Sequence, residues 1–114
     1  MKKILLTAVF LLLGIFAVSA QESITIVNNT GYIIYGMYIS PSEDDNWGLE
    51  VLDDHILENG QSFSYRLVHP LNRVNTYDIL LIDEDGDYYV KWEVRVRNNA
   101  RIVFTFDDID IEFY

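Results

Sequence analysis

Asp83-Glu84-Asp85-Gly86-Asp87 sets the carboxylates of Asp83, Asp85 and Asp87 at alternate positions around a turn. Oxygen ligands so spaced can converge on one hard cation such as calcium. The segment is not an EF-hand loop: aligned on Gly86, the first ligand position falls on Leu81, and the twelfth, which needs a bidentate Glu, falls on Trp92. Asp-Gly is also a favoured hairpin turn, and the turn accounts for these residues without a metal, so calcium stands as the alternative. Glu43-Asp44-Asp45, Asp53-Asp54 and Asp107-Asp108 are further acidic groups in expected loops. A cation site would arise if one end of the fold joined two of them; solvated loops that keep a protein soluble are the simpler account.

Other reactive groups are sparse. His55 and His69 are the two histidines, fourteen residues apart and with no cysteine in the chain, which gives transition-metal binding little support. There is no Gly-x-Ser-x-Gly elbow and no Gly-rich phosphate loop. A carboxylate pair of the glycosidase kind is compatible with the composition, but so short a chain has little room for a deep cleft, and a non-enzyme is expected. Trp47 is the more promising residue. Beside Glu43, Asp44 and Asp45 and outside any assignable strand, it either folds back to cap the fold or joins Tyr32 and Tyr38 in an exposed aromatic platform rimmed by Asp44 and Asp45. Aromatics ringed by polar groups are typical binding hot spots. Arg95, Arg97 and Arg101 read as ordinary cross-strand charges.

The elements that position these groups are strands. Ser23 to Asn28 alternates, and Asn29-Thr30-Gly31 supplies turn residues, so a first hairpin is expected. Asn28-Asn29-Thr30 also matches a glycosylation acceptor pattern, read here as a turn. Ile33, Tyr35, Met37 and Ile39 share the face chosen for the core. Trp47 to Leu57 is ambiguous between two turns of helix and an extended segment. Phe63, Tyr65 and Leu67 form the inner face of a strand closed by Pro70. A two-residue Asp85-Gly86 turn would pair Leu81 with Val90, Ile79 with Trp92 and Tyr77 with Val94, and Leu80 and Ile82 make that strand central. A three-residue Asn98-Asn99-Ala100 turn would set Val96, Val94 and Trp92 against Ile102, Phe104 and Phe106. Trp92 is thereby expected in the core. Ile109, Ile111 and Phe113 suggest a last short strand. Six to seven short strands with no convincing helix indicate an all-β, antiparallel β-sandwich, with a small barrel as alternative.

Lys2 and Lys3 precede an apolar run from Ile4 to Val18 that ends in Val18-Ser19-Ala20. This is the layout of a secretory signal peptide cleaved after residue 20, too short for a membrane anchor. Two units follow: a leader, 1–20, and one domain, 21–114. Cleavage leaves 94 of 114 residues, and loss of Lys2 and Lys3 takes the net charge from −10 to −12. A domain that acidic repels phosphate, which argues against nucleic-acid partners and against adsorption to anionic membranes.

Four segments carry a resemblance: Ile26-Val27-Asn28-Asn29-Thr30-Gly31-Tyr32; Tyr38-Ile39-Ser40-Pro41-Ser42 with Trp47-Gly48; Tyr77-Asp78-Ile79 with Asp83-Glu84-Asp85-Gly86-Asp87; and Arg101 to Asp108. Together they resemble a group of small exported bacterial proteins, from spirochaetes among others, whose activity is not established. The resemblance implies export and a bacterial host and carries no catalytic residues. The expected function is a secreted or periplasmic, non-enzymatic binding domain with a protein or glycan partner and no cofactor. The alternatives are a calcium-stabilised structural module of the cell envelope and, less favoured, a small hydrolase with paired carboxylates.

Overall fold

The computed structural model describes residues 21–112; the expected leader and Phe113 lie outside them. Six strands form: β1 (Ser23–Asn29), β2 (Ile34–Pro41), β3 (Ser62–Arg66), β4 (Thr76–Asp83), β5 (Tyr88–Arg95) and β6 (Ala100–Thr105), followed by a 3-10 turn, Phe106–Asp108. They divide into two three-stranded sheets, ordered β3-β1-β6 and β2-β4-β5. The fold is an all-β sandwich, not a closed barrel. Its core is drawn from both inner faces: Ile24, Ile26, Ile102 and Phe104 from the first sheet meet Met37, Ile39, Ile79, Leu81 and Tyr89 from the second. Alternation at period two delivers these side chains to one face of each strand, and burying each contributes about 1.5–3 kcal/mol.

β4 is central in its sheet, as Leu80 and Ile82 indicate, and β3 turns Phe63 and Tyr65 inward with Leu67 buried beyond its end. The connections differ from expectation. β1 and β2 lie in different sheets, so Asn29-Thr30-Gly31 is a crossover and not a hairpin. β5 and β6 are likewise separated, and β6 instead pairs with β1 in parallel, Ile24 opposite Ala100 through Asn29 opposite Thr105. Val96, Ile102 and Phe104 do all reach the core, but Ile102 and Phe104 arrive from the opposite sheet. Hydrophobic matching fixes which face is inward; it does not say whether the partner lies beside the strand or across the sandwich. Asn99 is left-handed, as expected of that turn, at φ 65°.

The β4–β5 register also shifts. Leu81 faces Tyr89, Leu80 faces Val90 and Ile79 faces Lys91, while Tyr77 still faces Val94. The turn takes three residues, Glu84-Asp85-Gly86, with Gly86 at φ 83° and its N–H donated to the Asp83 carbonyl. This is the type I turn plus left-handed residue that the sequence equally allows. A bulge between Tyr77 and Ile79 recovers the lost residue: Glu93 sits at φ 51° with its N–H bound to Asp78 Oδ1 at 2.8 Å. The consequence is that Tyr89 takes the core position, fully buried, and Trp92 is 55% exposed, contrary to expectation. In β2 a second irregularity between Ile34 and Gly36 buries Ile34 and turns Tyr35 out, so Tyr35 is not a core residue.

Residues 49–57 are neither helix nor strand. Asp53 and Asp54 are both left-handed, and Leu57 forms an isolated bridge to Ile34. Leu52 and Leu57 are buried while Leu49 and Ile56 are exposed. The last strand is absent among the described residues: Ile109 makes one bridge to Tyr89 and Ile111 is exposed.

Candidate functional site

The acidic turn at the end of β4 brings Asp83, Asp85 and Asp87 together, one carboxylate oxygen from each within 4.8 Å of the others. Asp83, 3% exposed, is already engaged. Its Oδ1 accepts the N–H groups of Asp85 and Asp87, both at 2.9 Å, and its Oδ2 accepts the Tyr89 hydroxyl at 2.8 Å. Burial, then the hydrogen bond to Asp83, raises the Tyr89 phenol well above its usual range, so it remains a donor. The carboxylate organises the turn it starts, and a cation would have to compete with three hydrogen bonds.

At the start of β1's crossover, Asn28 is fully buried. Its Nδ2 donates to the carbonyls of Tyr32 and Leu57, and its Oδ1 accepts from the N–H and hydroxyl of Thr30. The Asn28-Asn29-Thr30 pattern is thus a turn device, with its amide inaccessible to a glycan.

The aromatic residues fall at two ends of the sandwich. Ile33 N–H binds Glu84 Oε2 and Glu84 N–H binds the Ile33 carbonyl, which places the neighbouring Tyr32 at the acidic-turn end, where its ring lies 6.0 Å from that of Phe106. Tyr38 is half-buried and opposite Leu80 on the outward face of the second sheet. Trp47 stacks on Trp92, centroids 5.6 Å apart and planes inclined at 38°. Trp92 adjoins the β4 bulge near Asp78, the far end of a strand whose Tyr77 and Asp83 are about 20 Å apart at ~3.3 Å per residue. Tyr32 and Trp47 therefore do not form one platform.

What Trp47 does help to form is a cleft of ≈ 480 Å³ between the end of β2 and the loops that face it, with Asp44, Tyr65, Val68, His69 and Tyr77 also in its lining. Asp45 is exposed and stands outside it. Leu49 and Val68, 88% and 77% exposed, flank it. Glu50, another lining residue, is committed to its own loop: Oε2 accepts from Met37 and Leu52 N–H groups and Oε1 from Asp53 N–H, all at 2.9 Å. Tyr65 and Tyr77 in the lining, and Trp92 stacked on Trp47 beside it, were not foreseen there. Asp78, a charged residue inside β4 and not at its end, was the available sign that the pairing breaks opposite it.

No family model matches the chain, and no curated protein does. This agrees with the resemblance to a group of unestablished activity. Among solved structures, the chain is similar to an NMR structure of a protein from Eubacterium rectale, at 13% identity and a TM-score of 0.57, over 75% of this chain and 78% of that one. At that identity the likeness concerns the fold alone.

Proposed function

We propose that the chain is a non-enzymatic binding domain, exported to the periplasm or beyond, that holds a partner at the Trp47 end of the sandwich. The observation that carries this reading is the pairing of a 55%-exposed Trp92 with Trp47 beside a cleft flanked by two exposed aliphatics, Leu49 and Val68. Large aromatics held at a surface by a neighbour, with apolar and acidic groups around them, make a pre-organised anchor site. A hydrolytic role has less support, because Glu50, the second carboxylate of the cleft beside Asp44, is committed to three backbone N–H groups. A calcium-stabilised module has less support too, since Asp83 already accepts three hydrogen bonds within its own turn. Among the described residues no helix is long and apolar enough to cross a membrane.

The exported protein, used as bait against envelope proteins and arrayed glycans, tests the proposal, and its intact mass tests whether it begins at Gln21. Trp92→Ala is expected to lose the partner while costing about 1 kcal/mol of stability, the worth of an exposed aromatic pair. Undiminished capture by Trp92→Ala would place the binding surface elsewhere.

A further inference from the structure

The sequence holds two tryptophans, and they are in contact with each other. Trp47 is half-buried and lines the cleft, while Trp92 beside it stands 55% exposed. Leu49 and Val68 project at the rim, and Asp44, Asn46 and His69 add polar groups of three kinds, with the buried Ser40 also in the wall. The carboxylate of Asp44 accepts hydrogen bonds. Asn46 Oδ1 already takes the Gly48 N–H at 3.1 Å, which leaves the amide Nδ2 to donate. The His69 ring can do either, according to its tautomer.

We propose that the cleft and the tryptophan pair bind a neutral glycan, one pyranose ring against Trp47 and the chain continuing over Trp92, with hydroxyls meeting Asn46, His69 and Asp44. This rests on the binding-domain reading and narrows the partner to a polysaccharide. A pyranose carries C–H bonds on its faces and hydroxyls around its edge. It therefore suits an aromatic plane with both donors and acceptors beside it, since each hydroxyl serves in either sense. The cleft, at ≈ 480 Å³, falls within the range of about 300–1,000 Å³ usual for small-ligand sites. Charge selects a neutral sugar: a chain of net charge −10 repels uronates and sulfated glycans. The edge of β2 argues against an extended peptide. Strand addition draws its affinity from main-chain hydrogen bonds. At this edge Met37 donates its N–H to Glu50 Oε2 and accepts the Val51 N–H, both at 2.9 Å, and Pro41 has no N–H to give. A peptide laid beside the cleft would find that ladder largely taken, whereas a sugar does not need it.

Because both tryptophans of the sequence belong to this pair, the intrinsic fluorescence of the exported protein reports on this site alone. The test titrates it with cellohexaose, mannohexaose and chitin hexasaccharide, and with hexagalacturonate and an octapeptide of alternating lysine and glycine as controls. At least one neutral hexasaccharide is expected to shift the emission, and hexagalacturonate to leave it unchanged. In calorimetry with that sugar, Asn46→Asp keeps the oxygen that holds Gly48 and removes the amide donor. It and His69→Ala should each weaken binding by about fivefold or more, the worth of one hydrogen bond, and Asn46→Asp should melt with the parent. Emission unmoved by all three neutral sugars, tighter binding of either control, or parental affinity in both Asn46→Asp and His69→Ala overturns the proposal. If no sugar binds but an envelope protein is held by the parent and lost by Trp92→Ala, the glycan inference falls and the binding-domain reading survives. A partner held undiminished by Trp92→Ala removes both.

Discussion

Asp83→Ala separates a turn held by its own carboxylate from a turn built for calcium. The substitution deletes three hydrogen bonds to a charged acceptor, from the N–H groups of Asp85 and Asp87 and the hydroxyl of Tyr89. Bonds to ionised groups contribute about 1.5–3 kcal/mol each. The two N–H groups lie at the rim of an exposed turn and recover part of this from water. The Tyr89 hydroxyl belongs to a fully buried residue and, with Thr30 as its remaining polar neighbour, is left with most of its dehydration penalty, about 1–3 kcal/mol. The expected loss is about 3–5 kcal/mol. Against a total of about 5–15 kcal/mol for a domain, this lowers the melting temperature by more than ~12 °C. Asp83→Asn keeps one carbonyl oxygen and the shape, and should lose about half as much. Urea denaturation read by far-ultraviolet circular dichroism measures both, and the same melts in millimolar calcium and in EDTA should coincide. A parent protein that calcium stabilises by ~3 kcal/mol, as saturation at 100 times Kd requires, or an Asp83→Ala variant that melts with the parent, would refute the argument.

Two further outcomes follow from the same geometry. Phe104→Ala, at a fully buried position, should cost about 3–5 kcal/mol, several times the cost of Trp92→Ala, and equal losses in thermal melts would contradict the observed β4–β5 register. Alkali should unfold the protein: Tyr89, Tyr77 and Tyr65 all have phenols raised above 10.0, chiefly by burial. A raised folded value means that the stability is intact below the unfolded pKa of about 10 and falls above it as the unfolded chain releases protons first, by up to ~1.4 kcal/mol per pH unit for each fully buried phenol. Tyr89→Phe should flatten that fall by one proton in pH-dependent denaturation, and an unchanged slope would show that Tyr89 ionises freely in the fold.

The strands were legible wherever alternation was regular. β3, the centrality of β4 and the inward faces of Met37, Ile39, Ile79 and Leu81 follow from period two alone. What period two does not encode is which strand lies alongside. Val94 and Phe104 satisfy the same apolar preference as lateral neighbours or as inner-face residues of opposite sheets, and the second arrangement is the one formed. The three-residue turn and the bulge at left-handed Glu93 exchange the two faces of the stretch between them, which is why Trp92 reads as core and stands at the surface. Trp47 and Asp44, two residues of the cleft lining, were legible from an unassignable aromatic within an acidic loop. Tyr65 and Tyr77 were not: both read as ordinary inner-face strand residues, and a tyrosine whose buried hydroxyl lacks a partner, as that of Tyr77 does, has the same pattern in sequence as one that has a partner.

The parallel contact between β1 and β6 also governs when the molecule can fold. β1 is the middle strand of its sheet, and the segment that completes it, Ala100–Thr105, lies some 76 residues further along the chain. A chain delivered N-terminus first from a ribosome holds β1 with one flank open until nearly all of its length has emerged. Contacts of such long separation slow folding, since the loop-closure entropy must be met before the pairing contributes. Partial products can build the β2-β4-β5 sheet early, yet they lack Phe104 and Ile102 to cover its inner face. The topology thus commits the polypeptide to its native state only on arrival of the final strand.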